Sequence, residues 1–201
     1  MAPPGIAGHR PDRYSPGMIL LRHGQSEFNL HFSESRVDPG IVDPLLTPLG
    51  HAQARAAAEA LRHQGIRRII TSPYTRALQT AEPVARALDV PVMVHPVVRE
   101  RYKFACDIGT KRIDLERDWP HRDFSGIDEI WWPAIEEPAA SIIDRARLFR
   151  AEMSALHDWA DTLVVSHWGF ILSMTGTSVM NGDWLRCDPT LPPPAEISWR
   201  A

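Results

Sequence analysis

The sequence is poor in cysteine, in long apolar runs and in excess charge of either sign, and each shortage closes off a class of protein. Only Cys106 and Cys187 occur in 201 residues. So few in a chain of this length is the usage of an intracellular, cytoplasmic protein with free thiols, which excludes a disulfide scaffold and leaves a single bridge open. The longest stretch without Asp, Glu, Lys or Arg, Thr162 to Gly182, is nominally long enough to cross a bilayer. Ser166, His167, Ser173, Thr175, Thr177, Ser178 and Asn181 interrupt it. Its apolar residues fall into two short groups, so it reads as a strand followed by a helix, and no membrane partner is expected. A net charge of −3 gives no basic field for nucleic acid, and attraction for an anionic ligand must be local.

Cofactor motifs are missing as well. His-x-His, His-Glu-x-x-His and paired-cysteine spacings do not occur, and His9, His31, His51, His63, His95, His121 and His157 fall on expected tails, helices or loops. A Gly-rich loop before Lys-Ser or Lys-Thr is also absent. Activity without metal, nucleotide or other cofactor is expected.

What is present suits one α/β domain: 44% hydrophobic residues is enough for a core at this length. Residues 1–17 carry Pro3, Pro4, Pro11 and Pro16 with Gly5, Gly8 and Gly17 and no apolar h-region. They read as a flexible or extended arm rather than a secretory signal; an arm laid over a partner or over the active site has the same composition. Met18 to Leu21, Ile66 to Thr71 and Leu163 to Ser166 are short β-rich runs separated by helical patterns. That rhythm predicts a mostly parallel sheet covered on both faces, a three-layer α/β/α sandwich. Val90 to Val94 and Ala195 to Trp199 are weaker strand candidates. A helix over Ala52 to His63 should close at Gly65. Ala77, Ala81, Val84 and Leu88 form one apolar stripe in which Pro83 should kink or restart the helix. Ile142, Ala146, Phe149, Met153 and Leu156 form a second stripe leading towards Leu163. Periodicity fails between Glu100 and Pro138, where Lys103, Lys111, Arg112, Trp131 and Trp132 interleave charge with aromatic surface. Residues 101–138 are read as an insertion that is either a lid or a cap with a small core of its own.

The chemistry gathers where strands should end. Arg22-His23-Gly24-Gln25-Ser26-x-x-Asn29 follows the first apolar run, at the polar turn where α/β proteins place their sites. Pro44 to Ala54, then Thr71-Ser72-Pro73-Tyr74-Thr75-Arg76-Ala77, then Val98-Arg99-Glu100, then Val164-Val165-Ser166-His167-Trp168-Gly169 come after it in order. Together these segments, spanning Met18 to Gly169, resemble the signature of the histidine phosphatase superfamily, the phosphoglycerate mutase-like proteins, although Trp168 stands where many members carry glycine.

The resemblance implies phosphoryl transfer through His23, with Arg22, Arg76, Asn29 and His167 binding phosphate and Glu100 as the acid. Guanidinium forks suit phosphate oxygens. A neutral His23 between two arginines would be held to a low pKa, with a backbone carbonyl near Gly24 available to fix its tautomer. Gly24 itself would let the chain pass close to the phosphate. Arg99 and Arg101 beside Glu100 would lower its pKa by pairing. Asp107, Asp114 and Glu116 are the reserve acids. A phosphomonoesterase acting on a phosphorylated small molecule is the leading expectation. A phosphomutase of the same site, or an idle member binding a phosphorylated ligand, are its competitors. The substrate's identity and the oligomeric state are left open by the sequence.

Overall fold

The computed structural model describes residues 17–199, so the arm expected over residues 1–17 lies, but for Gly17, outside the described residues. Strand β1 (Met18–Arg22) is followed by helices α1 (Glu27–Ser35) and α2 (Pro48–Leu61). Then come β2 (Arg68–Thr71), α3 (Thr75–Leu88) and β3 (Val92–Val94). After a long connection holding α4 (Arg112–Asp118), the chain forms α5 (Ala139–Ser154), β4 (Thr162–Ser166), α6 (Trp168–Thr175) and β5 (Trp184–Cys187). The sheet order is β3-β2-β4-β1-β5, parallel except for β5, which pairs antiparallel with β1.

The two-residue side-chain repeat of a strand sorts the core into two layers. Met18, Leu20, Ile70 and Val164 face Ile142, Ala146, Phe149 and Met153 of α5 and Phe170, Ile171 and Met174 of α6. Ile19, Leu21, Ile69, Leu163 and Val165 face Ala57, Ala58 and Leu61 of α2 and Ala77, Ala81, Val84 and Ala85 of α3. Burying each large aliphatic contributes about 1.5–3 kcal/mol, so both faces must stay covered. This is the mixed α/β architecture with a flanked sheet that the strand rhythm predicts.

Local chemistry sets the helix starts. Ser26 and Asn29 form a reciprocal capping box on α1, and Thr47 caps α2 ahead of Pro48. Asp43 takes the place of a cap side chain on α3, accepting from Thr75 N at 3.0 Å and Thr75 Oγ1 at 2.7 Å. α2 begins four residues earlier than Ala52, and Gly65 at φ +73° serves the turn beyond it. Pro83 does not restart α3, which runs as one element to Leu88. Ala77 and Ala81 before it and Val84 and Ala85 after it bury against the same face of the sheet, which outweighs the lost hydrogen bond. α5 ends at Ser154, leaving Leu156 beyond it and exposed. Ala195 to Trp199 is not a strand: Pro192, Pro193 and Pro194 remove ladder donors just before it, and Trp199 packs on Trp168 and Arg101. The fifth strand lies earlier, at Trp184–Cys187.

The apolar residues of 101–138 share a third cluster with the main domain. Leu115, Phe124, Ile127 and Trp131 close over Tyr74, Leu78 and Val94. Cys106 and Cys187 are buried free thiols. Among the described residues, no helix is long and apolar enough to cross a membrane.

Candidate functional site

Parallel pairing brings the histidines together. Arg22 lies in register with Ser166, so His23 and His167 are the next residues off the carboxyl ends of neighbouring strands. His23 N donates to Ser166 O at 2.9 Å, and the two ring centroids are 5.0 Å apart. β2 adds its own end on the other side of β4, where Ser72 N donates to Val165 O and Ser72 Oγ lies 2.8 Å from His167 Nε2.

His23 is buried, and its Nδ1 is 2.7 Å from Gly24 O. A carbonyl only accepts, so Nδ1 carries the proton and Nε2 keeps its lone pair. This is the tautomer-fixing carbonyl expected near Gly24. Burial first, then Arg76 and Arg22, hold the imidazole well below its ordinary pKa, keeping it neutral. A Cβ at Gly24 would overlap the backbone of Gly50, with the carbonyl carbon at 2.9 Å, so packing against α2 by itself demands the glycine.

His167 is fully buried, and burial, Arg76 and His23 lower its pKa. Ser72 Oγ accepts from Tyr74 N, and when it gives its own proton to His167 Nε2 the ring proton sits on Nδ1. Nδ1 has no partner, and neither has the buried Nε of Arg22. Arg22 Nη1 donates to Val179 O at 2.8 Å. Its burial pushes its pKa down to about 10, against the opposing pull of Glu100. Two buried polar atoms thus stand without partners, one on the residue before His23 and one on the histidine whose ring lies 5.0 Å from it, although buried polar groups are otherwise almost always paired.

Arg76 is 3% exposed and reaches the site from the first turn of α3. Its Nη1 donates to Cys106 O at 2.7 Å and its Nη2 to Asp107 Oδ1 at 3.2 Å, with Asp43 4.0 Å away. The guanidinium also lies 4.2 Å from the ring centroid of Tyr74. A fork with five donors keeps N–H groups beyond these two bonds. Asn29 commits its Oδ1 to Ser26 N, Ser26 Oγ and Asn181 Nδ2, which leaves its own amide N–H groups as what it can offer a ligand.

Glu100 is drawn to the same place by two backbone donors, Arg101 N to Oε1 at 2.8 Å and Gly169 N to Oε2 at 3.1 Å. Its pKa is raised, chiefly by burial and next by Asp107. The pairing expected with the Arg99 and Arg101 guanidiniums does not occur; Arg101 acts on Glu100 through its backbone N–H. Arg99 pairs with Glu137 at 2.9 Å, and Arg101 turns to Glu137 O and Glu136. Of the reserve acids, Asp107 is buried on Arg76, while Asp114 pairs with Arg117 and Glu116 with Arg112. Sequence reading passed over Ser72, Asn181, Glu137 and Arg145. Ser72 stood inside the quoted motif, but its partner is 95 residues away.

The sequence model of the histidine phosphatase superfamily (branch 1) matches residues 18–189. A bifunctional protein of Mycobacterium tuberculosis is 36% identical over 168 residues, 82% of this chain and 44% of that protein; the chain thus spans less than half of that relative's length. A glucosyl-3-phosphoglycerate phosphatase of Mycolicibacterium vanbaalenii is 29% identical over 166 residues, 79% of this chain and 72% of that one. The solved structure of a mycobacterial glucosyl-3-phosphoglycerate phosphatase with VO3 shares the fold at a TM-score of 0.61 and 24% identity, over 85% of this chain and 90% of that one. With the family's sequence pattern running from the first strand to just past the last, the chain belongs to the histidine phosphatase superfamily, branch 1.

Proposed function

We propose that this protein is a phosphomonoesterase that hydrolyses a phosphorylated small molecule through a phosphohistidine on Nε2 of His23. The observation that carries the reading is the pair of unpartnered buried atoms, Arg22 Nε and His167 Nδ1, beside a neutral imidazole. A phosphoryl group seated there would supply the acceptors both lack.

In the first step the Nε2 lone pair attacks phosphorus in line, the bond to the ester oxygen breaks, and Glu100 gives that oxygen its proton. Arg22, Arg76, His167 and the Asn29 amide neutralise charge on the equatorial oxygens. In the second step the ionised Glu100 takes a proton from water, the water oxygen bonds to phosphorus, and the N–P bond breaks to release phosphate. A raised carboxyl pKa suits the first step and the neutral imidazole suits attack. No step draws on a metal or cofactor.

A mutase would use the same groups and differ only in returning the phosphoryl group to substrate. The phosphatase names of relatives that span most of this chain support transfer to water. A panel of phosphorylated metabolites assayed for released phosphate tests the reading, with labelled substrate and an acid-free quench to place the label on His23. His23→Ala should lose both label and turnover with an unchanged circular dichroism spectrum. Label retained in that variant would remove His23 from the role.

A further inference from the structure

Residues 97–100 leave the short 3-10 turn Pro96–Val98 without joining a strand or helix, so their carbonyls have no ladder to pair with. Such groups need partners when they are shielded from water. Four carbonyls in a row find them in side chains, Glu100 O accepting also from Arg99 Nη1 at 3.4 Å. Arg145 of α5 donates Nη1 to Val97 O at 2.6 Å and to Arg99 O at 2.8 Å, and Nη2 to Glu100 O at 3.4 Å. Ser166, at the end of β4, donates its hydroxyl to Val98 O at 2.7 Å.

The clamp has its own counter-charge. Glu137, 3% exposed, accepts from Arg145 Nε at 3.1 Å and Nη2 at 2.7 Å, from Arg99 Nη1 at 2.9 Å and from Ser141 Oγ at 3.0 Å. Its backbone is tied to the same stretch, since Glu137 N donates to Tyr102 O and Arg101 Nε donates to Glu137 O, both at 2.8 Å. One buried carboxylate therefore orients Arg145 and draws the Arg99 guanidinium to itself rather than to the Glu100 carboxylate.

We propose that Arg145 and Glu137 are positioning residues for Glu100: Arg145 fixes the backbone from which that side chain projects, and Glu137 orients Arg145 while holding Arg99 off the acid. The proposal rests on the reading of Glu100 as proton donor, and neither residue touches the reacting atoms. A mere structural brace would lower stability and slow every substrate alike. A positioning role falls on the step that needs the acid, which matters most when the departing oxygen is a poor leaving group.

Arg145→Lys keeps a positive charge against Glu137, but one ammonium cannot span three carbonyls as the planar fork does. The parent, Arg145→Lys, Glu100→Gln and the double variant are compared by kcat/KM on an alkyl phosphate and on an activated aryl phosphate. Amide hydrogen exchange is followed at Arg101 and Gly169, whose N–H groups hold the Glu100 carboxylate. General acid catalysis contributes ~10²–10⁴-fold, so Arg145→Lys should lose about tenfold or more on the alkyl ester and under about threefold on the aryl ester. It should add nothing to Glu100→Gln, and exchange at both amides should accelerate. Equal losses on the two esters, losses that multiply with those of Glu100→Gln, or unchanged exchange at both amides would each overturn the proposal. Should the parent hydrolyse neither ester, the phosphatase reading falls, and the exchange measurement decides the clamp alone. If Arg145→Lys does not fold, Glu137→Gln, which keeps both arginines, is held to the same criteria.

Discussion

Gly24 and Gly50 meet backbone to backbone: a Cβ on Gly24 would overlap the Gly50 carbonyl, and one on Gly50 would overlap the carbonyl of Gln25. The turn after β1 and the first turn of α2 are thus in contact with no room for a side chain. Gly24→Ala should destabilise the fold by about 1–3 kcal/mol, the usual cost of forcing extra atoms into a packed site. A urea midpoint equal to the parent's would show that the two segments part easily.

Gly169 offers the contrasting case. A Cβ there would overlap Oε1 of Glu100, the far end of a flexible side chain, and would approach Ile142 Cδ1 only to 3.6 Å. Gly169→Ala should therefore fold with little loss of stability while pushing the carboxyl aside. Hydrolysis of alkyl phosphates should fall by much of the ~10²–10⁴-fold that general acid catalysis supplies. Full activity in a folded Gly169→Ala would deny Glu100 its role.

Histidine burial makes stability depend on pH with a definite sign. Both His23 and His167 are held well below their ordinary value of 6.5, so the folded protein binds fewer protons than the unfolded chain in the window beneath it. Stability from these groups is complete above pH 6.5 and is lost as pH falls, by up to about 1.4 kcal/mol per pH unit for each histidine. Glu100 and Asp107, with raised pKa, work the other way, favouring the fold at lower pH. Denaturant titrations at pH 7.5 and 5.5 should show a smaller loss in His167→Gln than in the parent; an identical loss would contradict the assignment.

Arg76→Lys should be severely impaired, because a point charge cannot both hold Cys106 O and Asp107 and face an oxyanion. The readout is competition by vanadate: the inhibition constant should rise with the loss of activity. Unchanged vanadate affinity would take Arg76 out of the phosphate site.

Chelators should leave phosphate release unchanged, since the proposed steps use guanidinium and imidazole in place of a metal ion. Activity that disappears with chelator and returns with added magnesium or zinc would defeat the scheme.

Parallel central strands declare themselves in a sequence because both faces are buried, which is why Met18 to Leu21 and Leu163 to Ser166 stand out as apolar runs. β5 does not. Its four residues alternate, with Leu185 and Cys187 buried between partly exposed Trp184 and Arg186, and its antiparallel pairing with β1 comes from a turn through Gly182 at φ +77°. The same division holds in the site. His23, Arg22, Arg76, Glu100 and His167 could be picked out through family resemblance, each marked by a short motif. Glu137 and Arg145 could not, and Asp107 only as a reserve acid, because what matters about them is a partner brought near by folding: Arg76 lies 31 residues from Asp107, and Val97 48 from Arg145.

Arg76 belongs to α3 by sequence but hangs from residues 106 and 107 by two of its hydrogen bonds. Residues 101–138, which contain Cys106 and Asp107, are therefore wired into the arginine proposed to hold the phosphate. Residues 101–138 cannot be exchanged as an independent cassette: a graft that removes the Cys106 carbonyl or Asp107 would also retune the arginine proposed to bind phosphate. Changes to that segment that leave Arg76 as it is have to spare the Cys106 carbonyl and Asp107, or supply Arg76 with a compensating anion.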